Sequence, residues 1–255
     1  MRLKRTAISA AVLAAALAGP AWAQQPKDWG KRAKPDVEDS VAKVDRPACP
    51  LCATAVDRVI TAAAIEYELD TDYKVVKASF NVYPYVLTAC PKCSYATYSA
   101  NFHKELTTDD KKALEEGLDE VRKEFKSEWE IPISHVIRAA GASHRALKSE
   151  AGTLYEIYLL GSYLAREAAD ATAERDMQRR AIEHLVLAIE KEEKFQTPKN
   201  RYMAGEIHRR LGNYKQALEW YAKAKLGADE LLTKIVTRQE AQTREAMDPK
   251  KPPKK

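Results

Sequence analysis

From Thr107 onward the apolar residues fall at intervals of three and four. Leu114, Leu118, Val121 and Phe125 share one helical face. Thr107-Thr108-Asp109-Asp110 ahead of them has the spacing of a capping box. The same period predicts helices over 134–148, 153–169, 175–193, 199–211, 214–225 and 229–246. Upstream the pattern changes. Residues 75–83 (VVKASFNVY) are β-branched and aromatic with partial alternation, and 85–88 (YVLT), after Pro84, form a second short strand expectation. Residues 24–47 are polar and carry Pro26, Gly30, Pro35 and Pro47, which reads as a flexible arm. The closing DPKKPPKK reads as a disordered, solvated tail.

Within the helical part a spacing recurs. Leu211-Gly212-Asn213-Tyr214, followed by Ala217, Tyr221 and Ala224, matches the turn and second helix of a tetratricopeptide repeat. Gly205 stands where the first helix of such a unit needs a small residue, so that it and Ala217 let the two helices approach. A looser copy lies upstream, with Gly161 in a first helix and Ala181, Leu185 and Ala188 in a second. Ala181 precedes Ala217 by 36 residues, near the usual period of about 34, whereas Gly161 precedes Gly205 by 44, so the first copy carries about eight extra loop residues. A generic helical bundle is the plainer alternative. Two copies rarely bury a continuous core alone, so the helices at 109–128, 134–148 and 229–246 are expected to complete it.

The first residues carry a different pattern. Arg2, Lys4 and Arg5 precede an apolar stretch from Ala7 to Ala18, too short for a bilayer span of about 20 residues. Gly19-Pro20 ends it and Ala21-Trp22-Ala23 forms a small-x-small cleavage site, so residues 1–23 read as a cleavable signal peptide. The mature chain is then expected in the periplasm or secreted, with no transmembrane segment. Formal charge is +5 for the whole chain. Without the three basic leader residues it is about +2, which gives no reason to expect nucleic acid as a partner. Only nine glycines accompany many Ala, Leu, Glu and Lys, which favours helix.

All four cysteines sit in two C-P-x-C units, Cys49-Pro50-Leu51-Cys52 and Cys90-Pro91-Lys92-Cys93. A C-x-x-C turn lets two thiolates converge on one cation, and two turns supply a tetrahedral set. Four thiolates leave no open position, so zinc here would be structural. Iron would take the same ligands. Disulfides are the stronger rival, because an exported chain meets an oxidising compartment. Ala53 and Ser94 follow the second cysteines, which excludes haem attachment through C-x-x-C-H. The spacing favours zinc on Cys49, Cys52, Cys90 and Cys93.

The chain resembles an uncharacterised bacterial family of unknown function, in which a C-P-x-C pair precedes helical repeats. The residues that carry this are Cys49 to Cys52, Asn81 to Pro84, Cys90-Pro91-Lys92-Cys93-Ser94-Tyr95-Ala96, Phe102, and the helix from Leu154-Tyr155 to Arg166-Glu167. The likeness covers roughly 47–225. That family usually has Gly after each second Cys, where this chain has Ala53 and Ser94. The resemblance implies a zinc-ribbon-like module followed by repeats, and brings no activity with it.

The expected fold is therefore mainly α: tetratricopeptide-like repeats over 103–247, a small zinc-ribbon-like β module over 48–102, a linker at 24–47 and a tail at 248–255. No G-x-S-x-G, H-E-x-x-H or phosphate-loop pattern occurs. His103, His135, His144, His184 and His208 are scattered, with His103 the nearest to a knuckle. Glu115-Glu116 and 190–193 (EKEE) read as solvated helix faces, and Phe125, Trp129 and Trp220 as packing aromatics. The leading reading is a non-enzymatic scaffold that holds a protein or peptide partner. Lys199, Tyr202, Glu206 and Arg209 are the expected exposed contacts on a first helix. The alternative is a thiol–disulfide oxidoreductase or an iron electron carrier built on the C-P-x-C pairs.

Overall fold

The computed structural model describes residues 29–31, 42–62, 64–124 and 131–248. The leader at 1–23, most of the arm, Phe125, Trp129 and the tail from 249 onward lie outside the described residues. Among the described residues the chain is mainly helical, with a small strand region towards the N-terminus. No helix among them is long and apolar enough to cross a membrane.

Three two-stranded antiparallel sheets come first: β1 (Ala42–Asp45) with β2 (Arg58–Thr61), β3 (Glu66–Leu69) with β4 (Val75–Ala78), and β5 (Leu87–Ala89) with β6 (Ala96–Tyr98). The arm expected over 24–47 does not hold for its described residues. Ala42–Asp45 is strand β1, and the Ile133 N–H donates to Gly30 O at 3.0 Å. The strand expected over 75–83 stops at Ala78, and the one expected over 85–88 falls on 87–89. Pro84 lacks an N–H and fixes its φ, so Tyr83–Tyr85 makes a 3-10 turn instead of a ladder.

Two-stranded sheets are marginal alone, and these are held from outside. β5 and β6 place Leu87, Ala89 and Ala96 in one apolar core with α3 (Ile133–Ala146), α4 (Ala151–Glu167) and α5 (Ala171–Lys191). Before them, α1 (Thr108–Gly117) starts at the expected capping box. Thr107 Oγ1 accepts from the Asp110 N–H at 3.1 Å, and Asp110 Oδ2 accepts from the Thr107 N–H at 3.0 Å. Leu118 separates α1 from α2 (Asp119–Glu124).

The described residues close with α6 (Pro198–Arg210), α7 (Tyr214–Lys225) and α8 (Glu230–Ala246). α4 packs along α5 and α6 along α7, each pair joined by a short turn. Gly205 permits the second contact: a Cβ there would stand 2.5 Å from the Tyr221 ring and 3.2 Å from Ala217 O. Ala217 is itself fully buried. Ala217→Leu is therefore expected to overpack α6 against α7 and destabilise the fold by roughly 1–3 kcal/mol. Lys223→Leu, on the exposed face of α7, should leave the melt unchanged. Thermal melts of both variants against the parent check this, and equal melting temperatures for Ala217→Leu and the parent would refute the close contact.

Candidate metal centre and groove

Each C-P-x-C unit closes a tight turn of the same build. The Cys49 N–H donates to Thr54 O at 2.7 Å and the Ala53 N–H to Cys49 O at 2.8 Å. In the second unit Cys90 donates to Tyr95 O at 2.8 Å and Ser94 to Cys90 O at 3.0 Å. Antiparallel pairing flanks both turns in one register, Ala48 with Ala55 and Ala89 with Ala96. The residue after each second cysteine is left-handed, Ala53 at φ 59° and Ser94 at φ 58°. L-residues adopt that region at a cost of about 1–2 kcal/mol, and glycine adopts it freely. That accounts for the glycine typical of the resembled family at these positions; the two departures keep the turn and carry its strain.

The turns face each other. All four Sγ atoms lie within 4.8 Å of one another, with Cys49 to Cys93 at 3.6 Å and Cys52 to Cys90 at 3.5 Å. A tetrahedral ion with bonds of about 2.3 Å sets sulfurs about 3.8 Å apart. The cysteines are unpaired thiols, three of them buried, and the set can hold a metal ion. Hydrogen bonds from the Cys49 and Cys93 thiols, helped by the Cys93 and Lys92 N–H groups, hold the Cys90 thiol far below its ordinary value. The bond to Cys90, with burial, pushes Cys49 up to about 12, and the Cys49 bond pushes Cys93 up. A cation bound here must displace those protons, so binding weakens as pH falls.

Helices brace the centre. Cys49, Cys90, Cys93, Val56, Tyr95 and Phe102 share an apolar cluster with Leu114 of α1, with Leu118 just after it, and with Ala142 of α3. α3 also holds the second knuckle through side chains. His135 Nε2 lies 3.1 Å from Ser94 Oγ, Ser143 Oγ accepts from the Ala96 N–H at 3.1 Å, and His144 Nε2 lies 3.1 Å from Thr97 Oγ1. Burial pushes His135 down to about 4 and lowers His144, so both rings are neutral at pH 7. Their place at the knuckle had no pattern in the sequence to announce it. His103 is turned elsewhere, with Nδ1 3.0 Å from the Arg58 guanidinium. Glu115 and Glu116 are exposed as expected, and Trp220 is half-buried against the core. Glu192 departs from the solvated reading: its Oε1 accepts from the Gly152 N–H at 2.7 Å, at the start of α4.

The expected contact face on α6 needs a correction. Lys199 is exposed, but Tyr202 and Glu206 are 0% exposed and Arg209 is largely covered. The cover is the chain's own β3–β4 turn, residues 70–74. Tyr202 Oη donates to Thr71 O at 2.6 Å, and Glu206 Oε1 accepts from Thr71 Oγ1 at 2.5 Å. Arg209 Nη2 reaches Thr71 Oγ1 at 3.5 Å, and Lys199 Nζ lies 4.5 Å from the centre of the Tyr73 ring. All four positions thus touch residues 71–73 of the same chain.

Three further residues belong to this groove. Tyr163 Oη donates to Asp72 O at 2.5 Å. Arg166 pairs with Asp70 at 3.1 Å and Asp72 at 2.6 Å, and Arg210 pairs with the same two carboxylates at 2.8 and 3.2 Å. Burial works against the Asp70 carboxylate, but the Thr71 N–H, Arg210 and Arg166 outweigh it and hold its pKa low. A trace was present in the sequence: Arg166 and Arg210 stand 44 residues apart, the same offset as Gly161 and Gly205.

Fold and site together define a mainly helical protein with a strand-borne cluster of four cysteines that can hold a metal ion. The chain belongs to the bacterial family described as "Uncharacterized protein conserved in bacteria (DUF2225)", which matches residues 45–245. No curated protein and no solved structure matches it.

Proposed function

We propose that this is a non-enzymatic scaffold of the periplasm, which holds a protein or peptide partner on tetratricopeptide-like helices stiffened by a structural zinc in a zinc-ribbon-like module. One observation carries the reading. Side chains of α4 and α6 take the backbone carbonyls, carboxylates and hydroxyl of a turn of chain laid across them. A surface able to do that for residues 70–74 has the chemistry to do it for a segment of another protein. The zinc assignment rests on the four thiolates, which fill a tetrahedral shell and leave no position for substrate. When bound, the ion supplies cross-linking of the two knuckles. Cys49, Cys52, Cys90 and Cys93 would hold it, and His135 and Ser143 fix the second knuckle against α3. The periplasm rests on the leader-like residues 1–23.

The test is a photo-crosslinking amino acid placed at Lys199 or at Lys223 in cells. A discrete adduct from Lys199, absent from the exposed α7 position Lys223, is the expected result. No adduct from either, together with turnover in an insulin-reduction assay that Cys52→Ser abolishes, would replace the scaffold with the oxidoreductase reading.

A further inference from the structure

The β3–β4 hairpin is attached in an unusual way. Its strands scarcely pack: β3 is exposed along its whole length, and Ile65, Tyr67, Leu69 and Val76 are all exposed. The ladder between them shifts register twice. Such a hairpin has little stability of its own. Its tip, by contrast, is buried, with Asp72 2% exposed. Side chains on the two helices read nearly every polar feature of that tip. Tyr163 and Tyr202 take two carbonyls, Arg166 and Arg210 two carboxylates, and Glu206 the Thr71 hydroxyl. This is how a bound peptide is recognised, and here the peptide is part of the chain.

The groove beneath the tip is basic. Take the tip away, and Arg166, Arg209 and Arg210 keep only Glu174 and Glu206 as partners, with Lys199 at the rim. Glu167 on α4, which pairs with Lys74 of the tip at 2.9 Å, is freed as well, so the groove offers three guanidiniums and Lys199 against three carboxylates, and the guanidiniums that hold Asp70 and Asp72 call for an occupant acidic at those two positions.

We propose that residues 70–73, Asp-Thr-Asp-Tyr, are an internal ligand of the groove, and that its external partner is an acidic protein segment with two carboxylates flanking a hydroxyl residue. That segment binds by displacing the hairpin. The inference rests on the scaffold reading and names the partner class for the same site. The tethered tip competes at an effective concentration on the order of millimolar, so the intact chain binds a free segment weakly. Opening the hairpin ruptures the tip contacts and leaves the helix pairs packed, which makes it a local event.

The experiment uses the full, metal-loaded chain and a fluorescent peptide of residues 66–78 (EYELDTDYKVVKA). In anisotropy titrations, Asp70→Asn/Asp72→Asn should bind the peptide at least about tenfold more tightly than the parent, because its own tip is a poorer competitor. Adding Arg210→Gln should reverse the gain, and a peptide with both aspartates changed to asparagine should not bind. Equal affinity in parent and folded double variant would overturn the proposal. So would concentration-dependent dimers of that variant, since the hairpin of a second copy would then be the occupant. A second measurement covers loss of folding. In the parent, the Asp70, Tyr73 and Val75 amides should exchange with solvent about a hundredfold faster than the amides of α4 and α6. Exchange in step with those helices would make the tip a fixed part of the core and reject the internal ligand. If the Lys199 adduct forms nonetheless, the scaffold reading survives and only the displacement falls.

Discussion

Cys90→Ser is expected to abolish metal binding and to unravel the strand region around the knuckles. Cys90 is fully buried, and its sulfur lies 3.5 Å from that of Cys52. A serine oxygen is shorter and a far weaker zinc ligand, so three sulfurs remain where the site needs four. In small zinc modules the binding energy, about 10–16 kcal/mol, is also the folding energy. The damage spreads along the shared cluster, to α1 through Leu114 and to α3 through Ala142. It need not reach α4–α8, whose apolar contacts are made mainly with one another. Elemental analysis should fall from one zinc per chain to near zero while far-ultraviolet circular dichroism keeps most of its helical signal. His103→Ala is the control and should keep the ion, since His103 faces Arg58. Metal content unchanged in Cys90→Ser, or two disulfides in place of the ion in the parent, would reject a zinc held by these four residues.

What could be seen in the sequence was local. The knuckles are written in four-residue units, and 37 residues of chain between them fold back to join the pairs. Helix positions follow from a period visible within one segment, and α7 falls on the expected residues 214–225. The groove was legible by half. Counting along α6 puts Lys199, Tyr202, Glu206 and Arg209 on one face, but that face was expected to be exposed and is covered by the chain's own residues 71–73. The occupant was hidden, because Thr71 and Tyr202 meet across 131 residues and no periodicity reports such a contact. β3 was hidden for another reason. Residues 65–69 (IEYEL) do alternate apolar and polar positions, but both faces of β3 are exposed, so no core contact backs the pattern. His135 and His144 are similar: what defines them is Ser94 and Thr97 across the α3 interface.

Glu206→Gln tests that hidden contact by stability alone. Glu206 is fully buried and accepts hydrogen bonds from Arg209 at 2.5 and 2.9 Å, from Thr71 Oγ1 at 2.5 Å and from Tyr221 Oη at 2.8 Å. Gln keeps the shape but removes the charge, and its amide N–H groups then point at donors. Arg209, largely covered, is left without its counter-charge. Breaking one partner of a buried pair costs on the order of 3–5 kcal/mol. For a chain of this size that is a drop of roughly 10 °C or more in melting temperature. The pH dependence gives the sign. Burial opposes the Glu206 carboxylate, yet Arg209, Thr71 and Tyr221 outweigh it and hold its pKa below the ordinary 4.5. A carboxyl lowered on folding stabilises the fold fully above its unfolded value, and loses that contribution as pH falls through the folded one. The gap between parent and variant should therefore be complete at pH 7 and shrink below about pH 4. Glu230→Gln is the comparison, since its pair with Lys234 is solvent-exposed, and it should melt close to the parent throughout. If Glu206→Gln melts with it at pH 7, the carboxylate is solvated, and the hairpin tip does not cover α6.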